Sequence, residues 1–146
     1  MRQLIIARKD LKMSTGKLTA QVAHAAMAFI TRPMREGAGV VVTDDTVEIT
    51  CRFDRETYEE WICGIFTKTV CEARNRNQLM KAVALAEELG LVENEDFFLI
   101  RDACLTELEP EEMDEDGTGR TLTCIGFRPL PDEVAHAISR KFQLYR

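Results

Sequence analysis

The chain has 146 residues, 45% of them apolar and 30% charged, and a formal net charge of −6. That length suits one packed domain rather than two, and no apolar run approaches the roughly 18 residues needed to cross a bilayer. Five cysteines, an odd number spaced 8 to 33 residues apart with no C-x-x-C pair, fit free thiols in a reducing cytoplasm, and two distant histidines lack zinc-ligand spacing.

In chain order, strands and helices are predicted to alternate. The opening MRQLIIARKD has only a four-residue apolar core, so no export segment is expected, and Gln3 to Ala7 reads as a buried strand. A helix follows from about Thr15 to Ile30, with Ser14 or Thr15 as its cap and Pro33 after it. Gly37 to Gly39 marks a turn. Val40 to Val42 and Val47 to Phe53 then flank Thr43-Asp44-Asp45-Thr46 as a hairpin, the second run alternating apolar and polar residues. Asp54 caps a short helix through Trp61 that ends near Gly64, and Phe66 to Ala73 is the next strand.

Asn75 or Asn77 starts a helix carrying Leu79, Val83, Ala86 and Leu89, with Gly90 as its C-terminal cap. Phe97 to Ile100 is a strand ending at Asp102, and Thr121 to Phe127 is the last strand. Pro131, Asp132 and Glu133 open the final helix and Arg140 and Lys141 close it, as the helix dipole favours. The alternation predicts a single α/β domain over residues 1–146, a three-layer α/β/α sandwich with a mixed sheet of four or five strands.

Within the first helix, Lys17, Gln21 and His24 fall at i, i+4 and i+7 and so share one face. Leu18, Val22, Ala25 and Phe29 repeat that spacing on a neighbouring face. The helix can thus bury one side and offer a cation, an amide and an imidazole as a wall of an active site. Charge is unevenly spread along the chain. Met1 to Ala20 holds Arg2, Arg8, Lys9, Lys12 and Lys17 against Asp10, whereas Glu87 to Asp116 holds thirteen carboxylates against Arg101. A basic patch beside the Lys17 stripe would draw an anionic substrate.

Two other motifs fail on particular residues. Gly16-Lys17 after a strand suggests a nucleotide-binding loop, but that motif needs Gly at position 11 and Ser or Thr at 18, where this chain has Leu11 and Leu18. The acidic run Glu112 to Gly117 suggests half of a calcium loop, but Thr123 stands where a bidentate Glu is required. A solvated acidic loop is the simpler reading.

Taken together, IIARKDLKMSTGKLTAQVAHAAMAF, the later Asp102-Ala103-Cys104-Leu105-Thr106 and the strand opening at Thr121 closely resemble the type 2 peptidyl-tRNA hydrolases over most of the chain. In that family a helix start of this kind leads into alanine-glutamine-x-x-histidine-alanine, followed by an aspartate-alanine-glycine-x-threonine turn. The resemblance implies cleavage of the ester joining a peptide to the terminal ribose of transfer RNA, with no metal or organic cofactor, and a possible homodimer. By matching position it implies Lys17, Asp102, Thr106 and Thr121 as the catalytic group, with Gln21 and His24 lining the site. Arg8, Lys9 and Lys12, the basic patch beside them, would meet the RNA.

Ester hydrolysis builds negative charge on the carbonyl oxygen, a role for Lys17. Asp102 would orient or deprotonate the attacking water if its pKa rose toward neutrality, and Thr106 and Thr121 would position that water or the ribose. Lys17 and Asp102 could equally form an ion pair in the resting site. Read singly, each residue also has a structural role open to it: His24 and Gln21 as hydrogen-bonded core groups, Lys17 as a solvated first-turn lysine, Asp102 as a turn cap, the threonines as strand ends.

The chain also departs from the pattern. Cys104 replaces the turn glycine, which matters where the backbone needs positive φ, and Leu105 replaces a polar or basic residue. The Pro110 to Thr121 segment is longer and more acidic than the family's turn, and Arg32 to Asp54 is also long. A non-hydrolytic binding module, or a hydrolase of another acyl ester or amide, are the alternatives these departures leave open.

Overall fold

The computed structural model describes residues 1–36 and 39–146. Strand β1 (Arg2–Arg8) is buried from Gln3 to Arg8, as its unbroken apolar run requires, and forms the centre of a mixed sheet. It pairs in parallel with β4 (Lys68–Ala73), Ile5 opposite Val70, and antiparallel with β7 (Gly119–Leu130), Ile6 opposite Ile125. Strand β5 (Phe97–Asp102) flanks β7 and β8 (Gln143–Leu144) flanks β4, giving the order β5-β7-β1-β4-β8. A two-residue β6 (Glu112–Met113) pairs with the start of β7 outside that path.

Alternation along β1 sends its side chains to two separate cores. Ile5 and Ala7 meet Cys124 of β7 and Leu18, Val22 and Ala25 of helix α1 (Thr15–Arg35) on one face. Leu4 and Ile6 meet Leu79, Ala82 and Val83 of α2 (Arg76–Glu88) and Ala135 and Ile138 of α3 (Asp132–Ser139) on the other. The three-layer sandwich expected from the alternation of elements is the one observed.

Local signals set most of the helix ends. Ser14 Oγ accepts from the Lys17 amide at 3.2 Å and opens α1. The helix runs five residues beyond the predicted end and carries Pro33 inside its last turn, where the ring removes the amide that would reach Phe29 O while Glu36 N still reaches Arg32 O at 3.2 Å. Helix α2 is capped by Asn75 Oδ1 on the Gln78 amide at 2.9 Å and closed by Gly90 at φ +78°. There Leu91 N bonds Ala86 O and Gly90 N bonds Glu87 O, both at 2.9 Å, the Schellman pattern.

Hairpin β2 (Val40–Val42) and β3 (Val47–Ile49) is present, its second strand shorter than expected. The turn expected at Gly37 to Gly39 lies outside the described residues except for Gly39. Asp54 caps the next helix by accepting from Thr57 N at 2.7 Å, and that helix, Thr57–Ile65, takes the wide π form until Gly64, whose φ of −92° and ψ of −142° break it near the expected end. Its exit residue Phe66 is left-handed at φ 61°, which delays the following strand to Lys68.

One glycine sets how closely α1 lies on the sheet. A Cβ on Gly126 of β7 would overlap the Ala25 carbonyl oxygen and approach its carbonyl carbon to 2.8 Å, against rigid helix backbone. Gly126→Ala must therefore lift α1, and is expected to cost about 2 kcal/mol of stability as an overpacked core, read by urea unfolding. Because α1 carries Lys17 and Gln21, their positions should shift with the helix.

Candidate active site

Strands β1, β4 and β5 run in the same direction, so their C-terminal ends share one edge of the sheet with the start of α1. That edge brings Lys17 of α1 to Asp102 at the end of β5, Nζ to Oδ2 at 2.8 Å, with the two side chains only 13% and 11% exposed. Lys17 Nζ also donates to Thr106 Oγ1 at 3.1 Å. One turn along α1, Gln21 Nε2 donates to the same Asp102 Oδ2 at 2.8 Å, and the Cys104 amide donates to Asp102 Oδ1 at 2.9 Å. An ammonium has three donors. Two are committed here, and the third has no acceptor among the described residues.

Asp102 is therefore an ion-paired carboxylate. Burial pushes its carboxyl upward, but hydrogen bonds from Lys17, the Cys104 amide and Gln21, together with the Lys17 charge, hold it below the ordinary aspartate range. The rise toward neutrality that a general base would need is replaced by a shift in the opposite direction.

Thr123 was not expected from the sequence. Ile100 pairs with Cys124 and Arg101 with Leu122, so the ladder between β5 and β7 skips Thr123 at a β-bulge one residue before Asp102. Bulges beside active sites re-aim side chains. Here the buried Thr123 hydroxyl lies 2.6 Å from Gln21 Oε1 and 3.1 Å from Ile100 O, and as donor to Gln21 it turns the amide NH2 toward Asp102. The available signal was a hydroxyl within the otherwise apolar run Leu122 to Phe127.

Thr121 faces Asp102 across the ladder but is completely buried. Its hydroxyl donates to Glu109 O at 2.6 Å and accepts from the Glu111 amide at 3.1 Å, so it pins the segment before β6. His24 is exposed and lines, with Gln21, Met27, Thr31, Asp102 and Arg120, a groove of about 490 Å³ running along α1 from the Lys17–Asp102 pair.

Cys104, in place of the expected glycine, adopts φ +55°, and its Sγ lies 3.4 Å from Thr121 Oγ1. The backbone requirement is present and a Cβ residue meets it at a cost of roughly 1 kcal/mol. Cys104→Gly is accordingly expected to be about 1 kcal/mol more stable than Cys104→Ala in chemical unfolding, since both lose the sulfur and only glycine relieves the strain.

The expected basic patch does not survive folding. Arg8 is 3% exposed and uses all five of its donors: Nε and Nη2 on Asp10 at 3.1 and 2.7 Å, Nη1 and Nη2 on Glu111 at 2.6 and 2.7 Å, and Nη1 on Leu122 O at 2.9 Å. Lys9 pairs with Glu72 at 2.8 Å and lies over the Tyr145 ring. Of the three residues expected to meet RNA, Lys12 alone remains exposed without an ion pair among the described residues.

The acidic segment changes meaning for the same reason. Besides holding Arg8 through Glu111, it folds as the β6–β7 hairpin, with Glu112 on Arg76 at 2.9 Å and on Arg101 at 3.0 Å, and Asp114 on Arg120 at 2.7 Å. Glu111, Glu112 and Asp114 are thus neutralised by arginines, while Glu115 and Asp116 at the tip of the hairpin stay exposed with no ion pair among the described residues.

Residues 1–145 match the family model described as peptidyl-tRNA hydrolase PTH2. A peptidyl-tRNA hydrolase of Methanopyrus kandleri is 34% identical over 145 residues, covering 99% of this chain and 98% of that one. Those of Thermococcus onnurineus and Thermococcus sibiricus are 30% and 31% identical, each covering 98% of this chain and 96% of theirs.

Proposed function

The chain belongs to the peptidyl-tRNA hydrolase PTH2 family, and we propose that it cleaves the ester between a peptide, or an N-blocked amino acid, and transfer RNA at the Lys17–Asp102 edge. The observation that carries this reading is the third Lys17 N–H. It is fixed by Asp102 and Thr106 and left over for an oxygen that becomes negative. Water adds to the acyl carbon, the carbon–ribose oxygen bond breaks, and the proton released by water ends on the ribose 3′ oxygen. Lys17 stabilises the intermediate oxyanion, a contribution worth about 3 kcal/mol for one well-placed donor.

Asp102 holds Lys17 and Gln21 and accepts a hydrogen bond from the attacking water. Gln21, its orientation set by Thr123, and the Thr106 hydroxyl complete the water's surroundings, with Thr121 supporting the loop behind them. His24 and the groove along α1 receive substrate beyond the scissile bond.

The non-hydrolytic alternative gives no reason to hold a lysine with one uncommitted donor beside a carboxylate. The free thiols, and the absence among the described residues of any helix long and apolar enough to cross a membrane, accord with a cytoplasmic enzyme. A homodimer, about twice the 16.6 kDa chain mass, is the assembly to look for by light scattering.

The test is hydrolysis of purified N-acetyl-aminoacyl-tRNA, with Asp102→Asn as the control for contaminating hydrolase. Release of the acyl group by the parent and not by the variant supports the reading. No release at high enzyme concentration would move the site to another ester or to binding alone.

A further inference from the structure

We propose that the phosphate backbone of the transfer RNA is held by a cationic groove beside α2, formed by Arg74, Lys81 and Lys141, and not by Arg8 or Lys9. The inference rests on the hydrolase reading above and says where its RNA is gripped. A protein of net charge −6 that binds a polyanion needs cations left uncompensated by its own carboxylates. Arg8, Lys9, Arg76, Arg101 and Arg120 are all engaged by acidic side chains.

Arg74, Lys81 and Lys141 make no ion pair among the described residues, and all three line one open cavity of about 610 Å³ between α2 and the segment entering β8. Asn75, Asn77 and Gln78 add amides to its rim, and Glu88 is its one carboxylate. A smaller cavity of about 280 Å³ continues from Arg74, Gln78 and Lys141 toward Glu72, which Lys9 neutralises at 2.8 Å. The concentration of unpaired positive charge in a concave surface, on an acidic protein, is the electrostatic footprint of a phosphate chain.

Its position fits the substrate. Arg74 follows the C-terminal end of β4, on the same sheet edge as Asp102 at the end of β5, three strands away in the order β5-β7-β1-β4. At a strand spacing of about 4.8 Å that is about 14 Å. A nucleic-acid strand rises about 3.4 Å per nucleotide, so an RNA whose terminal ribose sits at Lys17 has phosphates roughly four nucleotides back level with Arg74. Lys81, about one and a half turns into α2, then lies along the continuing strand.

The test measures KM, kcat and the salt dependence of transfer-RNA binding for Arg74→Gln, Lys81→Gln, Lys141→Gln and their triple combination. Arg55→Gln serves as control, because Arg55 is 87% exposed before the π-helix, away from this groove. Each single variant is expected to lower the slope of log affinity against log salt by about 0.7 to 0.9, and the triple by about 2 to 3. KM for peptidyl-tRNA should rise at least about tenfold in the triple, with the loss falling on KM and not on kcat.

An unchanged slope and KM in the triple variant, matching Arg55→Gln, would overturn the proposal. Binding of deacylated transfer RNA by the parent is measured alongside. A parent that binds with a slope carried by these residues but releases no acyl group would sink the hydrolase reading and leave the groove standing.

Discussion

Replacing Lys17 by alanine is expected to lower kcat by about 100-fold to 1000-fold in the N-acetyl-aminoacyl-tRNA assay, the scale of losing one oxyanion donor from a preorganised site. Asp102→Asn should lose at least about 100-fold, because the carboxylate that fixes both the Lys17 ammonium and the Gln21 amide becomes neutral while its shape is kept. The double variant should be little worse than the poorer single one, since the two side chains act as one unit. Thermal unfolding of each variant separates this from collapse of the fold. Full activity in both single variants would place the chemistry elsewhere.

The pH profile supplies an independent sign. Asp102 is held below its ordinary value of 3.8 and, in the proposed mechanism, must be ionised to hold Lys17 and the water. Activity should then stay level from neutrality down to about pH 4 and fall only as pH drops through the folded value. The linked stability has the same direction. It is present above the unfolded carboxylate value and lost as pH falls through the lower folded one. An acid limb well above that value would instead implicate a group other than Asp102.

The parts of this site that were legible beforehand are those written in short-range spacing. Lys17, Gln21 and His24 lie on one helix at i, i+4 and i+7, and helical geometry alone puts them on one wall. Asp102 at a strand end and Gly90 after a helix are likewise local statements, and both hold. Thr123 was missed because its role depends on a bulge, a mismatch between two strands that neither strand's own sequence displays. Strands β6 and β8 are two residues each and have no periodicity to read.

Charge was the least legible property. Counting cations from Met1 to Ala20 gives a basic patch, yet Glu111, 103 residues away in sequence, closes on Arg8, and Glu72 closes on Lys9. A linear count of charges cannot separate a residue that meets solvent from one whose partner arrives with the tertiary fold. The acidic run that looked like an obstacle to RNA supplies, in the folded chain, the carboxylate that consumes one of the cations thought to bind it, Arg8.

Arg8→Leu distinguishes these two accounts. Removing the guanidinium leaves Asp10 and Glu111 facing each other without a cation and strands the Leu122 carbonyl, and breaking a buried pair from one side costs about 3 to 5 kcal/mol. Both carboxylate side chains keep about a third of their exposure, 35% and 32%, so water relieves part of this and a loss of about 3 kcal/mol is expected in urea unfolding at neutral pH. The penalty should shrink at acid pH, where Glu111 protonates. Glu111, which the Arg8 hydrogen bond holds below its ordinary value in the parent, would titrate higher in the variant. The folded fraction of the variant should retain the parent's KM and salt slope for transfer RNA. A variant that stayed as stable as the parent but bound RNA with a slope shallower by about one would make Arg8 a phosphate contact after all.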